Sequence, residues 1–169
     1  MANKKQLDTC SNCGTEARPV RGNYRYRESG LPNVILKNVQ LIRCPKCGNE
    51  DPIIPRITRV HQMIALAVLH KPHRLNGGEV RFLRKHLGMN GDEFSKMIHI
   101  DRTTLSKWEN DDDPVGDQSD RLIRAVVLGL SDELRSHIQE VVREFPNIEG
   151  VRDTSIQMDT ETMSYTLAD

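Results

Sequence analysis

The chain has 169 residues, 28% of them charged and 4% aromatic, which allows one domain or two small ones and argues against a single large core. It has no run of 18 apolar residues, so no membrane-spanning helix is expected, and its polar start, MANKKQLDTC, lacks the apolar stretch of a secretory signal, so a cytoplasmic location is expected. The formal net charge of zero conceals a dipolar chain: residues 1–74 hold 13 Lys/Arg and 5 Asp/Glu, residues 75–130 hold 8 and 10, and residues 131–169 hold 3 and 9. Asymmetry of this kind marks a basic surface for an anionic partner or merely solvated faces, so neutrality of the whole does not exclude nucleic acid.

All four cysteines fall in two C-x-x-C pairs, Cys10-Ser-Asn-Cys13 and Cys44-Pro-Lys-Cys47, followed at once by Gly14 and Gly48. Two thiolates three positions apart can turn inward on a tight turn where glycine allows φ > 0. Two such turns facing each other supply four sulfurs to a tetrahedral Zn²⁺, with Arg43 and Lys46 offsetting the charge of the tetrathiolate. Disulfides or redox chemistry are the rival readings. With four protein ligands the zinc would be structural. Between the pairs, residues 23–27, 34–36 and 39–42 read as strands around a turn at Gly30-Leu-Pro, with Val39 and Leu41 alternating against Gln40 and Ile42. The expectation is a small β-rich four-cysteine zinc domain over residues 1–56, dependent on its metal for stability.

Residues 57–70 read as a helix between Pro55 and Pro72, apolar on most faces in its second half, covered either within the chain or by a second subunit. Lys71-Pro-His-Arg-Leu-Asn-Gly-Gly78 then has the composition of a hinge, so residues 57–78 form a helical connector. From Glu79 the period becomes 3.6. A first helix carries Val80, Leu83 and Leu87 and is closed by Gly88; Asn90 caps a second carrying Phe94, Met97 and Ile98. After a tight turn at His99-Ile100, Asp101 caps a third with Thr104, Leu105 and Trp108 inward, and Ser119 caps a fourth with Leu122, Ile123, Val126, Val127 and Leu130. Two short helices joined by a tight turn form a helix-turn-helix, whose second helix would enter the major groove. Arg102, Thr103, Ser106 and Lys107 lie on its outer face, and together with Thr104 they make the candidate DNA-binding set, Arg and Lys suited to guanine edges and Thr and Ser to bases or phosphates. A plain helical bundle with a polar face is the competing reading.

Ser131-Asp-Glu opens a fifth helix with Leu134, Ile138, Val141, Val142 and Phe145, so an all-α helix-turn-helix and dimerisation domain is expected over residues 79–145, the second of two domains. Residues 146–169 read as an acidic, disordered tail, with a marginal hairpin around Asp159-Thr-Glu-Thr162 as the other reading. Five histidines, His61, His70, His73, His86 and His137, are expected on surfaces or helix ends.

Residues 98–110, Ile-His-Ile-Asp-Arg-Thr-Thr-Leu-Ser-Lys-Trp-Glu-Asn, resemble the recognition-helix signature of Cro/CI-type (XRE) helix-turn-helix domains. Three features depart from the family pattern: His99 stands where glycine is usual, Gly91, at the start of the preceding helix, stands where glutamine is usual, and the loop from Asn110 to Pro114 is acidic. Together, the two C-x-x-C pairs, their 30-residue spacer and Thr103-Thr-Leu-Ser-Lys-Trp-Glu109 resemble the MqsA family of type II antitoxins, with its YgiT-type zinc finger, over about residues 8–130. The resemblance implies a homodimeric repressor on a double-stranded DNA operator, DNA contacts at Thr103 and Lys107, and a zinc domain that binds a small ribonuclease toxin. Arg18, Arg21, Arg25, Arg27, Arg43 and Arg56 make that domain basic, an odd partner for a basic toxin, and they suit DNA backbone instead. The alternative is therefore a stand-alone zinc-finger/helix-turn-helix regulator with no toxin. The chain offers no recognisable catalytic set, so an enzyme is not expected.

Overall fold

The computed structural model describes residues 8–168; the polar residues 1–7, on which part of the leader argument rests, lie outside the described residues. As expected, a β-sheet region bearing the four cysteines is followed by a helical region containing the helix-turn-helix. The sheet is larger than its N-terminal sequence promised. Strands β1 (Asp8–Thr9), β2 (Glu16–Arg25), β3 (Val34–Arg43) and β4 (Glu50–Ile53) are joined by β5 (Ser155–Asp159) and β6 (Ser164–Ala168), in the order β1-β2-β3-β5-β6 with β4 also on β3.

Strand β3 organises the sheet. One edge pairs antiparallel with β2 along most of its length; the other is divided, residues 34–37 pairing parallel with residues 156–159 and residues 40–43 antiparallel with residues 50–53. Between the two halves Asn38 takes φ 57°, opposite the register shift at Gly22/Tyr24. This β-bulge shifts the alternation by one residue, so Val34, Leu36, Val39 and Leu41 all point to one face and are all fully buried. Asparagine tolerates the left-handed conformation better than most residues.

Of the two readings of the tail, disorder fails and the hairpin around Asp159-Thr-Glu-Thr162 holds: β5 and β6 pair antiparallel and complete the sheet. Ile156 and Met158 are fully buried, Asn33 Nδ2 donates to the Thr154 carbonyl, and the Thr160 hydroxyl donates to the Lys37 carbonyl at 3.0 Å. Alternating apolar residues over 155–159 give the hairpin one buried face, and burying each large side chain contributes about 1.5–3 kcal/mol.

Helix α1 (Ile57–His70) lies against this sheet, packing on β5 and β6 on one side and on α2 on the other. Cover on both sides explains why Ile64 through Leu69 are all buried, and the cover comes from within the chain. One continuous core runs from Tyr26 and Leu36 through α1 to Leu83, Phe94 and Ile123.

Residues 71–76, read as a hinge, are densely cross-linked instead. Lys71 Nζ donates to Glu79 Oε2 at 2.6 Å, with both side chains wholly buried. Arg124, 1% exposed, reaches from α5 (Asp117–Leu130) to donate to the carbonyls of Leu69, Lys71 and His73. Its Nε donates to Asp120 Oδ2 at 2.9 Å, while Asp120 Oδ1 accepts the Leu75 N–H at 2.7 Å. The arginine therefore satisfies carbonyls that the end of α1 leaves without helical partners.

Helices α2 (Gly77–His86) and α3 (Gly91–Met97) each begin with a capping box, Asn76 with Glu79 and Asn90 with Glu93. Gly88, at φ 70°, closes α2 as expected. Three other caps differ. Asp101 holds the N-cap position of α4 (Arg102–Glu109) without a side-chain hydrogen bond, the N-cap of α5 is Gly116 rather than Ser119, and Ser131 is the C-cap of α5 rather than the N-cap of the next helix. The fifth helix shortens to a 3₁₀ turn at Arg135–His137 followed by α6 (Ile138–Arg143).

His73 is buried, unlike its expected surface position, and burial holds the imidazoles of His61, His70 and His86 below their ordinary value of 6.5. His86 also faces Glu133 and His61, and His70 faces Glu140 and His137. A depressed value in the folded state means that the unfolded chain takes up protons first. Stability is therefore complete above about pH 6.5 and falls as pH drops through the interval down to the folded-state values. Melting temperature should decline from pH 7.5 to pH 5, and His86→Asn should flatten that decline; an identical slope in the variant would show that His86 titrates normally.

Candidate nucleic-acid interface and cysteine cluster

The two C-x-x-C turns form matching knuckles. Each closes with a glycine in the left-handed region, Gly14 at φ 68° and Gly48 at φ 72°, whose N–H donates to the carbonyl of Cys10 or Cys44. The knuckles face each other with Cys10 Sγ 3.6 Å from Cys47 Sγ and Cys13 Sγ 3.5 Å from Cys44 Sγ, and all four sulfurs lie within 4.8 Å of one another. The four cysteines singled out in the sequence thus come together within metal-binding distance of one another, which suggests a metal site.

Around it, Asp51 accepts from the Ser11 hydroxyl at 2.8 Å and from Asn49 Nδ2 at 2.8 Å, tying the first knuckle to β4. The Thr15 hydroxyl and then its backbone N–H draw Cys13 down to about 6. The Cys13 backbone N–H pulls Cys10 downward too, yet burial and the thiols of Cys47 and Cys44 push it up to about 11. Arg43, expected to offset the thiolates, instead pairs with Glu50 at 2.7 Å.

At the far side of the core, α3, a turn and α4 form the helix-turn-helix. His99 occupies the turn position where glycine is usual and takes φ 56°, while the Ile100 N–H donates to the Ser95 carbonyl at 2.9 Å. Leu105 and Trp108 anchor α4 inward as expected; Met97, expected inward on α3, is 49% exposed.

A buried carboxylate, unnoticed in the sequence, locks α4 onto α2. Arg84 donates through Nε to Glu109 Oε1 at 2.6 Å and through Nη2 to Oε2 at 3.0 Å, and Arg81 Nη2 donates to the Glu109 carbonyl at 2.6 Å. Gly77 lies so close to Trp108 that an added Cβ would sit 2.0 Å from its carbonyl oxygen. The Arg84 fork on Glu109, four residues after Leu105 and so one turn further along the same helix, fixes the tilt of α4 against the rest of the domain.

Of the candidate DNA-binding residues, Arg102, Thr103 and Lys107 are exposed, while Thr104 and Ser106 are half-buried. Both cations already hold partners: Arg102 Nε lies 3.2 Å from Asp92 Oδ1, and Lys107 Nζ lies 3.4 Å from Asp113 Oδ2. The acidic loop is folded back on the helix, with the N–H groups of Asp112 and Asp113 donating to the Lys107 carbonyl. Beyond the motif, Leu122, Leu130, Ile138 and Val142 leave apolar surface exposed on α5 and α6.

Residues 80–118, from α2 into the start of α5, match the HTH_3 family model, described as Helix-turn-helix. The match covers the motif alone, and it supports a DNA-binding transcriptional regulator acting on double-stranded DNA. No curated protein and no solved structure matches the chain. Among the described residues, no helix is long and apolar enough to cross a membrane.

Proposed function

We propose that this protein is a zinc-stabilised, dimeric, non-catalytic repressor, and that it is the antitoxin of a type II toxin–antitoxin pair. The observation carrying this reading is the pairing of a closed four-sulfur site on a sheet with a helix-turn-helix on the same core. Zinc fits the sulfurs: bonds of about 2.3 Å to a tetrahedral ion imply sulfur–sulfur edges of about 3.8 Å. A disulfide needs sulfurs about 2.05 Å apart, far closer than the 3.5 and 3.6 Å between the knuckles. Cys10, Cys13, Cys44 and Cys47 would hold the ion, which would supply cross-linking and no open coordination position.

The exposed apolar side chains of Leu122, Leu130, Ile138 and Val142 supply a face for a second copy. The sheet also answers the charge objection to a basic toxin. Residues 8–56 and 155–168 together carry eight Lys/Arg and seven Asp/Glu, because the hairpin brings Asp159 and Glu161 onto the basic sheet. Arg21 lies 3.7 Å from Glu161. The composite surface is thus close to neutral, and like-charge repulsion no longer weighs against a cationic partner.

Co-expression with the product of the adjacent reading frame and co-purification tests the antitoxin reading. Retention of a small ribonuclease supports it; no such neighbour leaves a stand-alone regulator. For DNA, Lys107→Ala should weaken operator binding by about 1–3 kcal/mol in a mobility shift. Unchanged binding would remove Lys107 from the interface.

A further inference from the structure

The glycine at position 91 is not there for the backbone. Gly91 is the first residue of α3, directly after the Asn90 cap, and its φ is not in the left-handed region that favours glycine. What a side chain there would meet is Arg102: an added Cβ would lie 2.5 Å from Cζ, 2.5 Å from Nε and 2.6 Å from Nη2. The guanidinium of the first residue of α4 therefore occupies the space that a side chain at position 91 would fill. Asp92, next in the chain, holds the same group through Nε at 3.2 Å.

We infer that Gly91 and Asp92 are specificity-determining positioning residues, which set Arg102 as a preformed fork for one guanine in each half-site. The inference rests on the DNA-binding reading above and deepens it. Its chemistry follows from which nitrogens are engaged. With Asp92 ion-paired on the Nε side of the guanidinium, the two terminal nitrogens remain as a coplanar pair of donors, the arrangement that matches O6 and N7 on the major-groove edge of guanine. Arg102 opens α4, and the N-terminal part of the recognition helix is the part that meets base edges. A free arginine must lose several rotatable-bond freedoms on binding; one seated over Gly91 beside a carboxylate has fewer left to lose. Asp92 also lies in the first turn of α3, where a carboxylate is favoured by the helix dipole.

The acid has a second effect. A carboxylate beside the recognition helix repels phosphate, so it lowers binding to arbitrary duplex while leaving the guanine contact to discriminate. Lys107 is paired with Asp113 in the same manner, so each cation of the helix has an acid beside it that tempers its attraction for arbitrary phosphate.

The test uses the full chain. Binding sites are first enriched from a randomised duplex library with the wild-type protein. The selected duplex and a copy carrying 7-deazaguanine, which lacks the N7 acceptor, are then compared by mobility shift for wild type, Gly91→Ala, Asp92→Asn and Asp92→Glu. The wild type should prefer guanine over 7-deazaguanine at one position per half-site by roughly tenfold. Gly91→Ala should abolish that preference without lowering the melting temperature, because the atoms it displaces are the free end of an exposed side chain. Asp92→Asn should also lose the preference, while its affinity for unrelated duplex rises and Asp92→Glu recovers part of the wild-type behaviour. A purely structural role for these residues would move stability and leave the base preference alone. Wild-type discrimination surviving in both Gly91→Ala and Asp92→Asn overturns this inference alone. A wild-type protein that enriches no site overturns the DNA-binding reading together with it.

Discussion

Arg124→Met should destabilise the fold by about 3–5 kcal/mol, more than any surface change in the helix-turn-helix. The guanidinium is 1% exposed and joins Asp120 to the carbonyls of Leu69, Lys71 and His73. Removing it leaves a buried carboxylate uncompensated and three buried carbonyls short of a donor, and stripping one partner from such a network is far costlier than replacing the whole of it. The double variant Asp120→Leu, Arg124→Met should consequently recover part of the loss, limited by the Leu75 N–H that Asp120 also accepts. Urea unfolding monitored by circular dichroism measures both. A single-variant loss below about 1 kcal/mol would show that water replaces the guanidinium at little cost, and the segment between α1 and α2 would be looser than its hydrogen bonds indicate.

Cys44→Ser, or extraction of the metal by a chelator, should produce the second large effect. Structural zinc supplies about 10–16 kcal/mol to isolated zinc fingers; here part of the sheet has other support, so a loss on the order of 5 kcal/mol is expected. The damage should be uneven. The knuckles, β1 and the pairing of residues 40–43 with residues 50–53 depend on the four sulfurs. Residues 34–37 are held by β5, which itself packs on α1, and the helical region has its own buried side chains in Leu83, Phe94, Leu105 and Ile123. Helical circular dichroism should persist while protease sites open within residues 8–20 and 44–53. Simultaneous loss of all structure would mean that sheet and helices unfold as one unit. Unchanged melting temperature and metal content would refute the zinc assignment.

The two motifs were legible because each is encoded locally. Cysteines three apart with a following glycine, occurring twice, are a local sign of two knuckles, and residues 98–110 carry both the turn and the buried Leu105 and Trp108 that orient the second helix. The bounds of α1, at residues 57–70, follow from prolines on either side. Long-range pairing was illegible. Ser-Ile-Gln-Met-Asp over residues 155–159 has the alternation of a strand, but nothing in it names β3 as its partner, so a short acidic stretch read as disorder. Buried charges were illegible for the same reason. Lys71, Glu79, Asp120 and Arg124 are of types rarely found buried, and only their mutual geometry makes burial tolerable. Asn76 with Glu79, three apart, was the one available sign that α2 starts earlier than Glu79. At the interface, the departure at Gly91 was visible as a missing glutamine; that Arg102 takes up the space could be seen only once both helices were in place.

The parallel pairing of residues 34–37 with residues 156–159 also orders events during synthesis. A nascent chain that has already presented both cysteine pairs and the whole helix-turn-helix still carries β3 with half of one edge bare and Leu36 without Met158 beside it. Closing so long a loop is slow, since its entropy is lost before the new contacts reward it. The DNA-reading helices are thus available to fold well before the sheet that carries the sulfurs is complete. An exposed strand edge pairs readily with foreign chains, so in that interval residues 34–37 are the segment most in need of protection, and a frameshift after α6 should give an aggregating product rather than a shortened regulator.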